Sequence, residues 1–288
     1  MSKSAPRQDA IAKKGYFKAY QWMIIRRFSQ IGFLLAFGLY AWWGIALVKG
    51  SLTSSRWLGI IPATEPLTFV QSIFVSNQWA IDLLIGGSIL LILGIAFGAR
   101  IFCGWICPVN MVSETTTWVK HKFRLKGGLR LPENMRYGVL AAVIVASIIG
   151  QFIAWEVISP ISNTYRAFLF AGLSSLWLIG LVALLDIFVL SENFCKNLCP
   201  QGALYSLLGH FHIFGVTAFN KDKCTNCGDC YAVCPEEKIL HAPLRGTKTP
   251  HIKSGLCNTC GQCIDVCCEN VLKYDFFIQT KRKEKEES

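Results

Sequence analysis

Eight cysteines between positions 224 and 267 fall into two runs of identical spacing. Cys224, Cys227, Cys230 and Cys234 read CxxCxxCxxxC with Pro235 next, and Cys257, Cys260, Cys263 and Cys267 repeat the pattern. Thiolates at these steps ligate cubane iron–sulfur clusters: three wrap three irons of one cube, and the fourth, set off by the longer step, reaches the neighbouring cube. The spacing therefore predicts Cys224, Cys227, Cys230 and Cys267 around one [4Fe-4S] cluster and Cys257, Cys260, Cys263 and Cys234 around a second. Structural zinc or disulfides are the competing use of so many thiols, but zinc sites use paired CxxC arms rather than four-cysteine runs. Gly228 and Gly261 are expected to make the tight turn around each cube. Cys268 stands where a proline would follow the second run, and is expected to be a packed thiol outside the ligand sets.

A second pair of motifs lies upstream. The stretch Ile101-Phe102-Cys103-Gly104-Trp105-Ile106-Cys107-Pro108 is echoed 92 residues later by Asn193-Phe194-Cys195-Lys196-Asn197-Leu198-Cys199-Pro200. One pattern, FCxxxCP, at two corresponding places implies two helix-pair halves with equivalent corners. If the preceding helix runs on, each i, i+4 cysteine pair shares one helix face, and the following proline limits or kinks it. Brought together, Cys103, Cys107, Cys195 and Cys199 offer four ligands to a soft metal; singly, each pair is a redox dithiol. The spacing leaves both open, beside the plainer use of cysteine as a small buried hydrophobe.

The elements that position these motifs are membrane helices. The chain is 52% hydrophobic and only 16% charged over 288 residues, and its mean hydropathy is +0.40, too apolar for an ordinary soluble protein. Four stretches are long and apolar enough to cross a bilayer, which takes about 20 residues: Phe28 to Val48, Trp79 to Ala99, Tyr137 to Val157 and Ala171 to Leu190. The first continues past the length of a signal-peptide core and lacks a small-residue cleavage site, so it is expected to stay as a span. Arg26 and Arg27 precede it and are expected to flank that span. The termini and the 100–136 segment together hold 26 Lys and Arg against 3 in the two remaining loops, which predicts a cytoplasmic side for both termini and the cluster motifs. Thirteen cysteines kept as thiolates fit the same reducing compartment. The net charge of +11 is thus topological, and a nucleic-acid partner loses its support.

The expected fold is mainly α. A basic cytoplasmic segment over 1–27 leads into a four-helix transmembrane bundle over 28–200 with the FCxxxCP motifs at its inner face. An amphipathic link over 201–219, an α+β bacterial-type 2[4Fe-4S] ferredoxin module over 220–278 and a charged tail over 279–288 complete it. The outer loop from Lys49 to Gln78 is expected to lie along the surface. His121, His210, His212, His241 and His251 all fall outside the spans, which excludes a histidine-ligated transmembrane haem, and the absence of CxxCH excludes covalent c-type haem.

Four spans, paired FCxxxCP corners, Arg26-Arg27 and the CPEEKIL run from Cys234 together resemble the NapH-type membrane ferredoxins of periplasmic nitrate reduction systems. The resemblance covers nearly the whole chain. It implies a quinol dehydrogenase subunit in the bacterial cytoplasmic (inner) membrane that passes electrons from menaquinol or ubiquinol toward periplasmic nitrate reductase. The partners it implies are a periplasmic ferredoxin-type subunit (NapG-like) and a membrane-anchored multihaem cytochrome. Because the cluster motifs are cytoplasmic and that acceptor periplasmic, with about 30 Å of hydrocarbon between, quinol oxidation is expected at the outer face, with Glu65, Asp82 and Glu156 near span ends as proton acceptors. Membrane ferredoxins with similar cysteine corners also handle a metal such as copper during maturation of another redox enzyme, which is the alternative reading; an assembly scaffold is a third.

Overall fold

The computed structural model describes residues 7–43, 48–50, 54–57, 61–75, 81–98, 100–123, 125, 128–129, 131–132, 134–170, 176–190, 194–246 and 250–277. The charged tail over 279–288 and the expected starts of spans two and four lie outside the described residues. Most described residues are helical, and the chain divides into two compact units. One holds residues 1–29, 93–105 and 205–288, and the other holds 30–92 and 106–204.

The first unit is built on a two-stranded antiparallel sheet. β4 (Phe214–Ala218) pairs with β5 (Leu272–Phe276) in the register Val216↔Tyr274. Between them the chain forms α13 (Asp229–Val233), α14 (His241–Arg245) and α15 (Gln262–Val266). Val216, Leu240, Ile252, Val271 and Leu272 make the core, with Cys263 among them. β4 starts six residues before the boundary expected at 220. The expected amphipathic link is instead α12 (Pro200–Leu208) followed by this strand, because Val216 and Ala218 alternate inward and bury on the ferredoxin core.

The N-terminal segment is also part of this unit. α1 (Gln8–Lys14) breaks at Gly15, whose φ of 80° is open to glycine, and α2 (Tyr16–Trp43) follows. The amides of Trp22 and Met23 donate to the Asp265 carboxylate, each at 3.1 Å. Lys13 pairs with Glu269. Arg26 is 1% exposed, and its guanidinium donates to the Gln262 side chain at 3.0 Å with that amide turned to accept it. Arg26 therefore serves the second cysteine motif, where the sequence suggested only a flank to a membrane helix.

The second unit carries a three-stranded antiparallel sheet, β1 (Val48–Gly50), β2 (Ser54–Trp57) and β3 (Ile61–Thr64), and α3 (Pro66–Phe74), so the expected surface loop is structured. α4 (Ile81–Phe97) presses Gly86 and Gly87 against Pro62, Thr64 and Phe69. α6 (Pro108–Lys122), α7 (Met135–Gly150), α8 (Ala154–Ile158), α9 (Pro160–Phe170) and α10 (Trp177–Leu184) complete it. The core is Leu67, Leu140, Val143, Trp155, Cys199 and Ala203.

The four expected spans correspond to described helices of unequal length. Among the described residues one helix, Tyr16–Leu39, is long and apolar enough to cross a bilayer; Ile81–Phe97, Met135–Gly150 and Trp177–Val189 are apolar but shorter. The seventeen described residues of α4 rise about 25 Å at 1.5 Å each. Each shortening has a local cause. Gly98 (φ 88°) stops α4, Gln151 (φ 52°) stops α7 before Val157, and α10 passes into a π-helical turn, Leu185–Val189, that ends in extended backbone at Leu190.

Candidate iron–sulfur site

The two cysteine runs fold into matching loops. Gly228 (φ 86°) and Gly261 (φ 73°) are the N-caps of α13 and α15. Two residues earlier in each run, Asn226 (φ 54°) and Thr259 (φ 48°) take the same left-handed turn. Asparagine tolerates that conformation; a β-branched threonine does not without help. The Thr259 carbonyl is held from two sides, by the Trp105 indole N–H at 3.0 Å and the Tyr274 hydroxyl at 2.6 Å. A side chain on Gly261 would also come within 2.6 Å of the Trp22 Cβ.

The loops enclose two cavities. Cys234, Cys257, Cys260 and Cys263 line one; Cys224, Cys227, Cys230 and Cys267 line the other. Each cavity thus takes three thiols from one run and one from the other. Cys268, expected to be a bystander, also lines the second of these cavities. All thirteen cysteines are described and none is in a disulfide. Among the described residues no three Cys, His, Asp or Glu side chains converge on a position for a single ion.

Electrostatics point the same way. Burial, reinforced by neighbouring thiols, pushes Cys230 up to about 11 and Cys257 up to about 12, and raises Cys234 and Cys263 further. Thiols so placed cannot all ionise unless cationic iron sits among them, and binding it releases their protons. Arg100, 4% exposed, donates to the Leu256 carbonyl at 2.8 Å, and its charge opposes the rise at Cys257. The residues present therefore fit [4Fe-4S] clusters, whose bound iron supplies one-electron redox centres.

The FCxxxCP corners differ from their expected form. Neither helix runs on: α5 (Ile101–Trp105) and α11 (Phe194–Asn197) are separate short helices. The prolines begin new helices, Pro108 opening α6 and Pro200 opening α12, the first-turn position that suits a residue without an N–H. Cys103 lies in α5 within the first unit, while Cys107, Cys195 and Cys199 lie in the second. In the first corner, a Cβ on Gly104 would meet the Asn258 carbonyl at 2.6 Å. Together with the Arg100 and Trp105 bonds, this seats α5 directly on the Cys257–Cys260 loop. In the second corner Lys196 takes the place of Gly104, and its carbonyl accepts from Arg136 at 3.3 Å. There Asp186, fully buried, accepts from the Ser113 hydroxyl at 2.8 Å and the Phe194 amide at 2.6 Å, and Ser113 lies 3.5 Å from the Cys195 sulfur. Cys199 packs in the core and accepts from the Gly202 amide at 3.4 Å.

The three acids of the expected quinol site have unlike surroundings. Asp82 is exposed and paired with Arg56, and Glu156 is paired with Arg166. Glu65 is 3% exposed, and neither of its carboxyl oxygens has a hydrogen-bond partner among the described residues. Burial, with the charge of Glu156 adding to it, raises Glu65 to about 8.

A ferredoxin-type iron–sulfur electron-transfer protein is the class that these loops and thiol sets define. Residues 223–271 match the family described as a 4Fe-4S dicluster domain. Residues 79–126 and 171–218 match a second, described as a 4Fe-4S binding domain; these two matches are offset by the same 92 residues as the corner cysteines. The chain is 36% identical to the methylamine utilization ferredoxin-type protein MauN of Methylorubrum extorquens, over 88% of each chain. It is 34% identical to the ferredoxin-type protein NapH of Escherichia coli K12, over 84% of this chain and 85% of NapH. The chain belongs to this family of NapH- and MauN-type ferredoxin-type proteins. No solved structure matches it.

Two outcomes test the site. Cys234→Ser is expected to remove the cluster held with Cys257, Cys260 and Cys263 and to spare the other, so that the reduced protein shows one isolated electron paramagnetic resonance signal in place of a coupled pair; loss of the Cys224-side cluster instead would refute the crossed ligand sets. Gly104→Leu is expected to displace the Asn258 backbone and lower iron content by half, whereas Lys196→Leu retains full iron by colorimetric assay.

Proposed function

We propose that the chain is a membrane-bound electron-transfer subunit of a quinol dehydrogenase, holding two [4Fe-4S] clusters. It would deliver electrons from menaquinol or ubiquinol to a periplasmic ferredoxin-type partner (NapG-like), and through a membrane-anchored multihaem cytochrome toward periplasmic nitrate reductase. The similarity to NapH supports this setting. Membrane residence is supported by the apolar helix Tyr16–Leu39 and by large apolar side chains turned outward on the shorter helices: Ile81, Ile92, Ile149 and Phe188 are each more than 60% exposed, a cost in water but not in lipid.

The observation that carries the quinol reading is Glu65. Oxidising a hydroquinone releases two protons with two electrons, and a general base works best when its affinity for a proton lies near the working pH. A buried carboxyl raised to about 8, with no partner to satisfy, is such a group. Asp82, exposed and neutralised by Arg56, is not; Glu156 acts through its charge on Glu65.

A second reading is favoured by one observation: two relatives at 36% identity carry methylamine utilization, not nitrate reduction, in their names. On that reading the chain supplies electrons or handles copper while another redox enzyme matures, and purified protein would contain stoichiometric copper.

Glu65→Gln is expected to slow quinol oxidation at least about 100-fold. In the parent protein the rate rises with pH through about 8 as Glu65 loses its proton, and the variant loses that dependence. Stability moves oppositely. The folded protein holds Glu65 protonated, so stability is full below the ordinary carboxylate range and falls as pH rises through about 8; thermal melts of the variant lack this fall. Wild-type quinol oxidation by the variant would sink the assignment.

A further inference from the structure

Within the first unit a cavity of about 480 Å³ is lined by Trp22, Trp105, Phe214, Tyr274, Ile101 and Ile264, together with Thr259 and Lys273. That volume lies in the range of ligand sites, about 300–1,000 Å³. Its walls are aromatic faces set at angles to one another. Trp22 meets Tyr274 edge-on at 4.7 Å and Trp105 at 6.2 Å, while Phe214 stacks on Tyr274 at 5.6 Å. The polar atoms of two of these walls are already committed: the Trp105 N–H and the Tyr274 hydroxyl both serve the Thr259 carbonyl. What the cavity offers a guest is flat apolar surface and one cation, Lys273.

Such a lining suits a flat, largely apolar ring with a carbonyl at its edge. A nucleotide would need phosphate donors, and Lys273 is the one charged residue in the lining. The position of the cavity adds a second argument. Thr259 lines it, while its neighbours Asn258 and Cys260 line the thiol cavity of Cys234, Cys257, Cys260 and Cys263. Ile264 lines it, and Cys263 lies on the thiol side. The stretch 257–264 therefore contributes lining residues to both cavities. The first cysteine run has Asn226 at the equivalent turn, where left-handed backbone needs no clamp like that on Thr259.

We propose that this aromatic cavity is a binding site for a quinone-type ring, with Trp22, Trp105 and Tyr274 as its faces and Lys273 at the ring carbonyl. The site deepens the quinol reading and rests on it, but it is separate from Glu65.

The test is photolabelling of the full-length, detergent-solubilised protein by a short-chain azidoquinone, with labelled peptides mapped by mass spectrometry. Labelling is expected within 101–105, 259–264 and 273–274, saturable, and competed by unlabelled quinone. Ile264→Trp, which fills the cavity, is expected to weaken it at least tenfold while the iron–sulfur absorbance shows the fold intact, and Lys273→Gln to weaken it less. Glu65→Gln is expected to leave it unchanged. Labelling confined to peptides around Glu65 overturns this site while leaving the quinol reading standing. Absence of saturable labelling anywhere overturns both. Competition by phospholipid as strong as by quinone overturns it in favour of an acyl-chain groove.

Discussion

The protein depends on a charge problem. Of the eight thiols gathered in one small module, Cys230, Cys234, Cys257 and Cys263 resist ionisation because burial and neighbouring thiols favour the neutral form, and Cys257 at about 12 shows how strongly. Iron bound among them would resolve the conflict by placing positive charge there, which would couple folding of the ferredoxin part to iron–sulfur binding. The architecture around the thiols follows from this need. Left-handed turns bring ligands inward, short helices start immediately after them, and the β4–β5 clasp closes the module from both ends.

The two cysteine runs are equal in spacing but unequal in their supports. Around the second run stand Arg26, Arg100, Trp22, Trp105 and Tyr274, all outside the run itself. Asp265 returns the connection by accepting two amides of α2. Cys227 in the first run is exposed, whereas Cys263 in the second is buried. A centre enclosed by aromatic rings and two guanidinium groups differs in hydration and local field from one near solvent, and these are factors that set cluster potentials. The halves of an apparently symmetric motif are thereby given separate electrostatic settings.

Much of this was legible in the residues. The grouping of the thiols around two cavities could be read because cubane coordination implies such a spacing. The 92-residue repeat was legible as well, and its one informative mismatch, Gly104 against Lys196, marks where α5 needs close backbone approach to Asn258. The helix breaks at the corners were not, since FCxxxCP reads equally as one continuing helix or as two helices joined at the proline, and only packing decides. The burial of Arg26 was hidden for a related reason: next to an apolar run, arginine looks like a membrane flank until tertiary structure supplies Gln262. Strand β4 was missed because five residues, Phe214 to Ala218, gain strand character only from pairing with Leu272 to Phe276, more than fifty positions away.

The N-terminal helix ties these levels together. α2 begins on the ferredoxin part, where Asp265 and Gln262 hold it, and continues without interruption as far as Trp43. Its apolar stretch is the one described helix long enough to cross a bilayer. No linker separates that stretch from the second cysteine run. A flexibly tethered ferredoxin exchanges electrons by searching for its partner, and its rate depends on linker length. Here Trp22 is both a residue of the long helix and a wall against Gly261, so the second thiol set is joined to the apolar helix by packing rather than by tether.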